Sequence, residues 1–151
     1  MNITVISVGK IKEKYFTAAI DEYSKRLSRF AKLNIIEVAD EKIPDNASEK
    51  EMEQIKEKEG NKILAKLPQN SFVVTLCIEG KEHSSEELAK KIADISMTSS
   101  HITFIIGGSL GLSDTVKSKS ALRLSFGKMT LPHQLMRVVL LEQIYRAFKI
   151  N

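Results

Sequence analysis

Apolar positions along the chain switch between two periods, short continuous runs and a three-to-four residue recurrence, and the switches divide it into alternating strands and helices. Ile3 to Val8, closed by Gly9, is a short β-branched run that reads as a buried strand. From Lys12 to Ala31, Phe16, Ile20, Tyr23, Leu27 and Phe30 fall at steps of three and four, one apolar helix face, with Lys12, Lys14, Lys25, Arg26 and Arg29 largely off it. Asn34 to Val38 is a second strand, and Ala39 to Ala47, with Pro44 inside it, is a loop. Ser48 and Glu51 have capping-box spacing, which opens a helix running to about Lys66. Its charge run predicts a solvated face with i,i+4 pairs and no chemistry. Ser71 to Ile78 is the third strand, ended by Glu79-Gly80-Lys81. Ser84 and Glu87 repeat the capping box before a helix to about Met97. Ile102 to Ile106 is the fourth strand, Ser113 to Lys119 a short helix, Leu122 to Phe126 the fifth strand, and His133 to Lys149 the last helix.

Strand and helix therefore alternate along the whole chain with no break in composition, which predicts one domain over residues 1–151. The expected fold class is α/β, a mostly parallel five- to six-stranded sheet flanked by helices on both faces. Ligands in such sheets bind outside the carboxyl ends of the strands. Three strand ends are equipped for it: Leu76 to Gly80, Gly107 to Gly111, and Phe126 to Pro132.

Composition narrows this picture only a little. The 23 Lys and Arg against 19 Asp and Glu give a net charge of +4, which suits a polyanionic partner without requiring one. Cys77 is the single cysteine, so no intrachain disulfide forms, and with three dispersed histidines no metal-ligand set is expected. The amino-terminal strand has neither the basic start nor the long apolar core of a signal peptide, and no run is long enough to span a bilayer. The expected location is cytoplasmic.

Candidate chemistry concentrates in the last third of the chain. Gly107 and Gly108 remove two β-carbons where a strand becomes a loop, a pattern that a tight turn explains as well as a ligand does. Their spacing, G-G-x-x-G, is neither the dinucleotide fingerprint nor a P-loop, which disfavours an ordinary Rossmann dehydrogenase or a P-loop nucleotidase. Pro132 starts the final helix, so His133 is expected in its first turn, beside free amides at the strand ends, where an imidazole can move protons. Arg137 falls in the middle of the apolar face formed by Leu140, Leu141, Ile144 and Phe148, so it must be paired, bind a ligand, or snorkel out. The apolar arc is wide enough for the helix to pack on a second copy of itself. Cys77, in mid-strand, reads as a small core residue.

The opening ITVISVGKIKEKYFTAAIDEYSKRL, the strand VVTLCIEGK, the turn FIIGGSLGL and above all LSFGKMTLPHQLMRVVLLEQIYRAFKI resemble the small SPOUT-superfamily methyltransferases that modify N3 of a pseudouridine in helix 69 of 23S ribosomal RNA. The resemblance covers essentially the whole chain. It implies a C-terminal trefoil knot, a homodimer through the C-terminal helix, and S-adenosyl-L-methionine as methyl donor. By the same resemblance the donor contacts Leu76, Gly107, Phe126, Gly127, Lys128, Met129, Thr130 and Leu131. The implied substrate is ribosomal RNA, free or in the 70S ribosome, with no membrane and no metal. His133 and Arg137 are the candidate catalytic residues, and Lys10, Lys14 and Lys81 are candidates for phosphate contacts. The resemblance also implies a short tail after the RAFKI segment, with a glycine and a Tyr-His pair that help complete the site; a molecule without it is expected to fold, bind the donor and transfer methyl poorly. A catalytically silent RNA-binding relative and a small-molecule nucleotide-binding enzyme of doubly wound fold are the alternatives.

Overall fold

The structure, a computed structural model, describes residues 1–151. Ten elements alternate: β1 (Asn2–Val8), α1 (Lys14–Leu27), β2 (Lys32–Val38), α2 (Glu49–Lys66), β3 (Phe72–Glu82), α3 (Ser85–Ser96), β4 (His101–Ile106), α4 (Asp114–Ser118), β5 (Leu122–Ser125) and α5 (His133–Ile150). All strand pairings are parallel and the order is β2-β1-β4-β3-β5. The chain is thus an α/β domain with a five-stranded parallel sheet flanked by helices.

The two-residue period of the strands sorts their side chains between two cores. Ile3 and Val5 of β1, Val74 of β3, and Ile102, Phe104 and Ile106 of β4 face one side, under α1, α3 and α5, where Leu140, Leu141 and Ile144 join them. Ile6 and Val8, Val73 and Ile105 face the other side, under α2 and α4, with Ile63 and Val116. A fully buried aliphatic side chain of this kind contributes about 1.5–3 kcal/mol. Both expected capping boxes are present: the hydroxyls of Ser48 and Ser84 accept from the amides of Glu51 and Glu87, whose carboxylates accept from the serine amides in return.

Three expectations change. Strand β3 does not end at Ile78 but runs on to Glu82, with a register shift against β5 between Leu76 and Lys81. Leu76 therefore sits where the pairing breaks, and Gly80 is needed there because a β-carbon would stand 2.7 Å from the Arg123 carbonyl oxygen. The first helix stops at Leu27, leaving Phe30 in the turn, where it stacks on Phe148 with ring centroids 5.9 Å apart. The charge run of α2 is not solvated all round: Ile55, Glu59 and Ile63 form a buried stripe at spacings of four. No helix is long and apolar enough to cross a membrane.

Candidate functional site

At the carboxyl ends of β4 and β5 the chain has to turn away from the sheet, and these two turns, with the bulged stretch of β3 beside them, enclose a cleft of about 720 Å³. Leu76 and Ile78 come from β3, Gly107 to Leu112 from the turn after β4, and Phe126 to His133 supplies much of the third wall. Hydrogen bonds within the loops hold the walls. Gly111 N–H donates to the Gly108 carbonyl at 3.0 Å, closing the turn after β4. The buried Ser125 hydroxyl donates to the Ile78 carbonyl at 2.9 Å and accepts from Gly127 N–H at 3.1 Å, tying the first wall to the third.

Glycine is needed in this frame for two distinct reasons. A β-carbon at Gly107 would lie 2.7 Å from the Gly111 carbonyl carbon, so the turn closes only over a bare backbone. Gly127 has φ +126°, a conformation that side chains disfavour, and open space beside it. Apolar side chains remain wet around the cleft: Met129 is 86% exposed and Ile78 51%. Apolar walls with a few bare backbone groups are the usual make-up of a small-molecule site.

Of the residues expected to hold a cofactor, Leu76, Gly107, Phe126, Gly127, Met129, Thr130 and Leu131 all line this cleft. Lys128 lies between them in sequence but is exposed and outside the lining. Lys10, Lys14 and Lys81 are exposed.

His133 also lines the cleft, as the first residue of α5. Its Nε2 lies 3.8 Å from the position a β-carbon would take on Gly9, with the Asp40 side chain 3.9 Å from the same point. Burial lowers the His133 pKa from the usual histidine value, the Arg137 charge lowers it further, and Asp40 opposes both. The imidazole is accordingly neutral at neutral pH and available to accept a proton.

Arg137 stands one turn on and does not line the main cleft. Only 3% exposed, it donates to the Val8 carbonyl at 2.8 Å, to the Gly9 carbonyl at 2.7 Å and to Glu37 Oε2 at 2.6 Å, with Nε left unpartnered. Burial lowers its pKa and the bond to Glu37 opposes the shift. Of the three outcomes open to an arginine on an apolar face, this one is pairing. It clamps α5 to the ends of β1 and β2, beside a side pocket of about 220 Å³ that also has Glu37 in its wall. Glu37, Asp40, Glu59 and Ser125 were not singled out by sequence reasoning. Glu37 breaks a β-branched run, and Glu59 falls midway between Ile55 and Ile63; both are readable signals.

An α/β domain with a loop-built cleft at the carboxyl ends of parallel strands belongs to the class that binds a small molecule there. The family model described as Predicted SPOUT methyltransferase matches residues 1–151, and the chain belongs to that family. A protein of Clostridium novyi (strain NT) named ribosomal RNA large subunit methyltransferase H is 62% identical over 152 residues, covering 100% of this chain and 96% of its own. The protein of that name from Clostridioides difficile (strain 630) is 60% identical over 152 residues, with the same coverage. A putative one from Methanococcus maripaludis (strain C5 / ATCC BAA-1333) is 64% identical over 151 residues, 99% of this chain and 95% of its own.

Among solved structures, a probable methylase family protein from Haemophilus influenzae Rd KW20 superposes with a TM-score of 0.55 at 12% identity, over 99% of this chain and 67% of that one. The tRNA (m1G37) methyltransferase from Aquifex aeolicus gives 0.55 at 12% identity, over 97% of this chain and 70% of that one. At that identity the superpositions speak for the fold.

Proposed function

We propose that this protein is an S-adenosyl-L-methionine-dependent methyltransferase of the SPOUT type that acts on ribosomal RNA in the cytoplasm. Its target in this reading is N3 of a pseudouridine in helix 69 of 23S ribosomal RNA, reached in the 70S ribosome. The single observation that carries the reading is the match, at 60–64% identity over nearly the full length, to proteins named as ribosomal RNA methyltransferases, in a chain whose β3 bulge and two loops meet in one cleft.

The cleft fits the donor. Its volume lies within the usual range for small-molecule sites of roughly 300–1,000 Å³. Leu76, Met129 and Leu131 offer apolar surface to an adenine ring, and the bare backbone at Gly107 and Gly127 offers close approach and hydrogen bonds. When bound, S-adenosyl-L-methionine supplies an electrophilic methyl group on a sulfonium.

The remaining work falls to the chain's own residues. The substrate nitrogen must lose its proton as the new N–C bond forms, and neutral His133 at the cleft wall is the acceptor in this reading. Arg137 acts through others: by tying α5, one turn beyond His133, to Val8 and Gly9 it fixes where His133 stands. Lys10, Lys14 and Lys81, all exposed, are the candidates for phosphate contacts in this reading. Partly buried Leu135 and Val138, apolar side chains on α5 that keep some exposure, support a homodimer through that helix. The position of β5 beyond β3, with α5 returning to pack on α1 and α3, supports the knotted path.

Mass mapping of methylated nucleosides in 23S ribosomal RNA, with and without this protein, tests the reading. The expected result is one added methyl on the helix 69 pseudouridine. An unchanged methylation map with ribosomes and donor present sinks it.

A further inference from the structure

Glu59 is a buried carboxyl that the mechanism above leaves unused. It lies on α2, across the sheet from His133 and Arg137, and is 5% exposed. One oxygen, Oε2, accepts from the Glu41 backbone N–H at 3.0 Å. The other, Oε1, lies against Gly108, 3.3 Å from the position its β-carbon would take. Gly108 also lines the cleft, so one glycine backbone has the carboxyl and the cleft as neighbours. The adjacent Gly60 meets the far end of the same turn, where a β-carbon would stand 2.6 Å from Ser113 Oγ. The Glu59-Gly60 pair thus meets the stretch at both of its ends, Gly108 and Ser113.

The charges around Glu59 do not neutralise it. Asp40 and Glu41, from the loop after β2, repel it. Lys62, on its own helix, attracts it, but that ammonium is bonded to Glu41 Oε2 at 2.9 Å and to the Ala39 carbonyl at 3.2 Å. The 107–113 stretch holds no titratable residue, and β1 presents Val8. Desolvation raises the Glu59 pKa from the ordinary carboxylate value. A buried carboxylate in this condition is costly, and a cation in the cleft lowers the cost.

We propose that Glu59 makes the cleft prefer the sulfonium donor over the neutral thioether product, acting across Gly108 without touching either. The inference rests on the cleft being the donor site. In the transfer the methyl–sulfur bond breaks, the bonding pair stays on sulfur, and the substrate nitrogen, whose proton leaves to a base, takes the methyl. Donor and product then share every group except that methyl and the charge on sulfur. Contacts to the adenosine and amino-acid parts therefore bind both alike, whereas a fixed negative charge separates them and favours product release. Through a partly hydrated path of several ångströms the preference is roughly 3- to 10-fold.

Titration calorimetry of the wild type and Glu59→Gln with S-adenosyl-L-methionine and with S-adenosylhomocysteine, at about pH 8 and about pH 5, tests this. Glutamine keeps the shape and the acceptor for Glu41 N–H but carries no charge. The expected result at the higher pH is a donor-over-product ratio about 3- to 10-fold smaller in the variant, through weaker donor binding with product binding changed less than about twofold. At the lower pH the gap between the two proteins narrows as Glu59, its pKa raised by burial, begins to take up its proton; His133, Asp40 and Glu41 are common to both proteins and drop out of the comparison. An unchanged ratio, or equal losses for both ligands, overturns the inference while leaving the donor site intact. A wild type that binds neither ligand overturns the donor reading itself.

Discussion

Two buried charges flank the carboxyl end of β1, one on each face of the sheet, and they differ in how completely the protein satisfies them. Arg137, under α5, has two backbone carbonyls and a carboxylate within 2.8 Å, and only its Nε goes without a partner. Glu59, under α2, has one backbone amide, two repelling acids and a lysine engaged elsewhere. A buried charge bonded at this density holds architecture together, because removing it strands its partners. A buried charge left half-bonded is a standing cost, and such costs persist where function needs them. The difference divides labour across the sheet: the α5 side fixes the position of His133, and the α2 side supplies unspent charge beneath the cleft.

The largest test of that division is His133→Ala. If proton transfer on the α5 side belongs to the histidine and not to its arginine neighbour, methyl transfer falls by about 10²- to 10⁴-fold while donor affinity stays within about threefold. Tritiated-methyl incorporation into ribosomes, set beside calorimetry, measures both. The wild-type rate should also lose activity only below the usual histidine range of about pH 6.5, since burial lowers the His133 pKa and the neutral form is the acceptor. Full activity in the alanine variant removes His133 from the chemistry.

Next in size is Arg137→Met, which keeps the volume and deletes the clamp. The Val8 and Gly9 carbonyls lose their donors, and Glu37, with its side chain 38% exposed, keeps some water. A loss of about 2–4 kcal/mol in urea unfolding is expected. Wild-type stability together with abolished methyl transfer reverses the assignment and makes the arginine a chemical participant. Smaller again is Gly107→Ala, which strikes the turn on the cleft side of both charges. Its β-carbon meets backbone at 2.7 Å, so the loop must shift, at about 1–3 kcal/mol and about tenfold in donor affinity. Unchanged affinity in calorimetry shows that the donor does not lean on this turn.

How legible each side was in the sequence follows from the same physics. The element order, both capping boxes and the cleft-forming ends of β4 and β5 were readable because they depend on local pattern: period, spacing and glycine position. Arg137 was flagged, because a charge on an apolar helix face stands out by angle alone, but its partners Val8, Gly9 and Glu37 lie about 100 residues or more away and no local pattern names them. Glu59 was missed for the opposite reason. It sits in a stretch so rich in Glu and Lys that one buried acid is lost among solvated ones, although its spacing to Ile55 and Ile63 marks the inward stripe. The end of β3 was misjudged because Gly80, read as a stop, is a close approach within a bulged strand.

The smallest expected effect is also the one that separates the two charges by sign. Removing Arg137 costs stability, whereas Glu59→Gln should add about 1 kcal/mol at neutral pH, since it relieves desolvation and keeps the bond to Glu41 N–H. The folded pKa of Glu59 is raised, so the native state binds its proton more tightly than the unfolded chain does. Its carboxylate therefore costs nothing below the ordinary carboxylate range, and the cost grows as pH climbs from there through the raised value. The gain on substitution must follow the same course, absent in acid and complete above that value. Urea unfolding of both proteins along a pH series reads it directly. A gain that persists unchanged into acid comes from packing and not from charge, and a loss at neutral pH means that Glu59 is as well satisfied as Arg137 and that the contrast between the two faces does not hold.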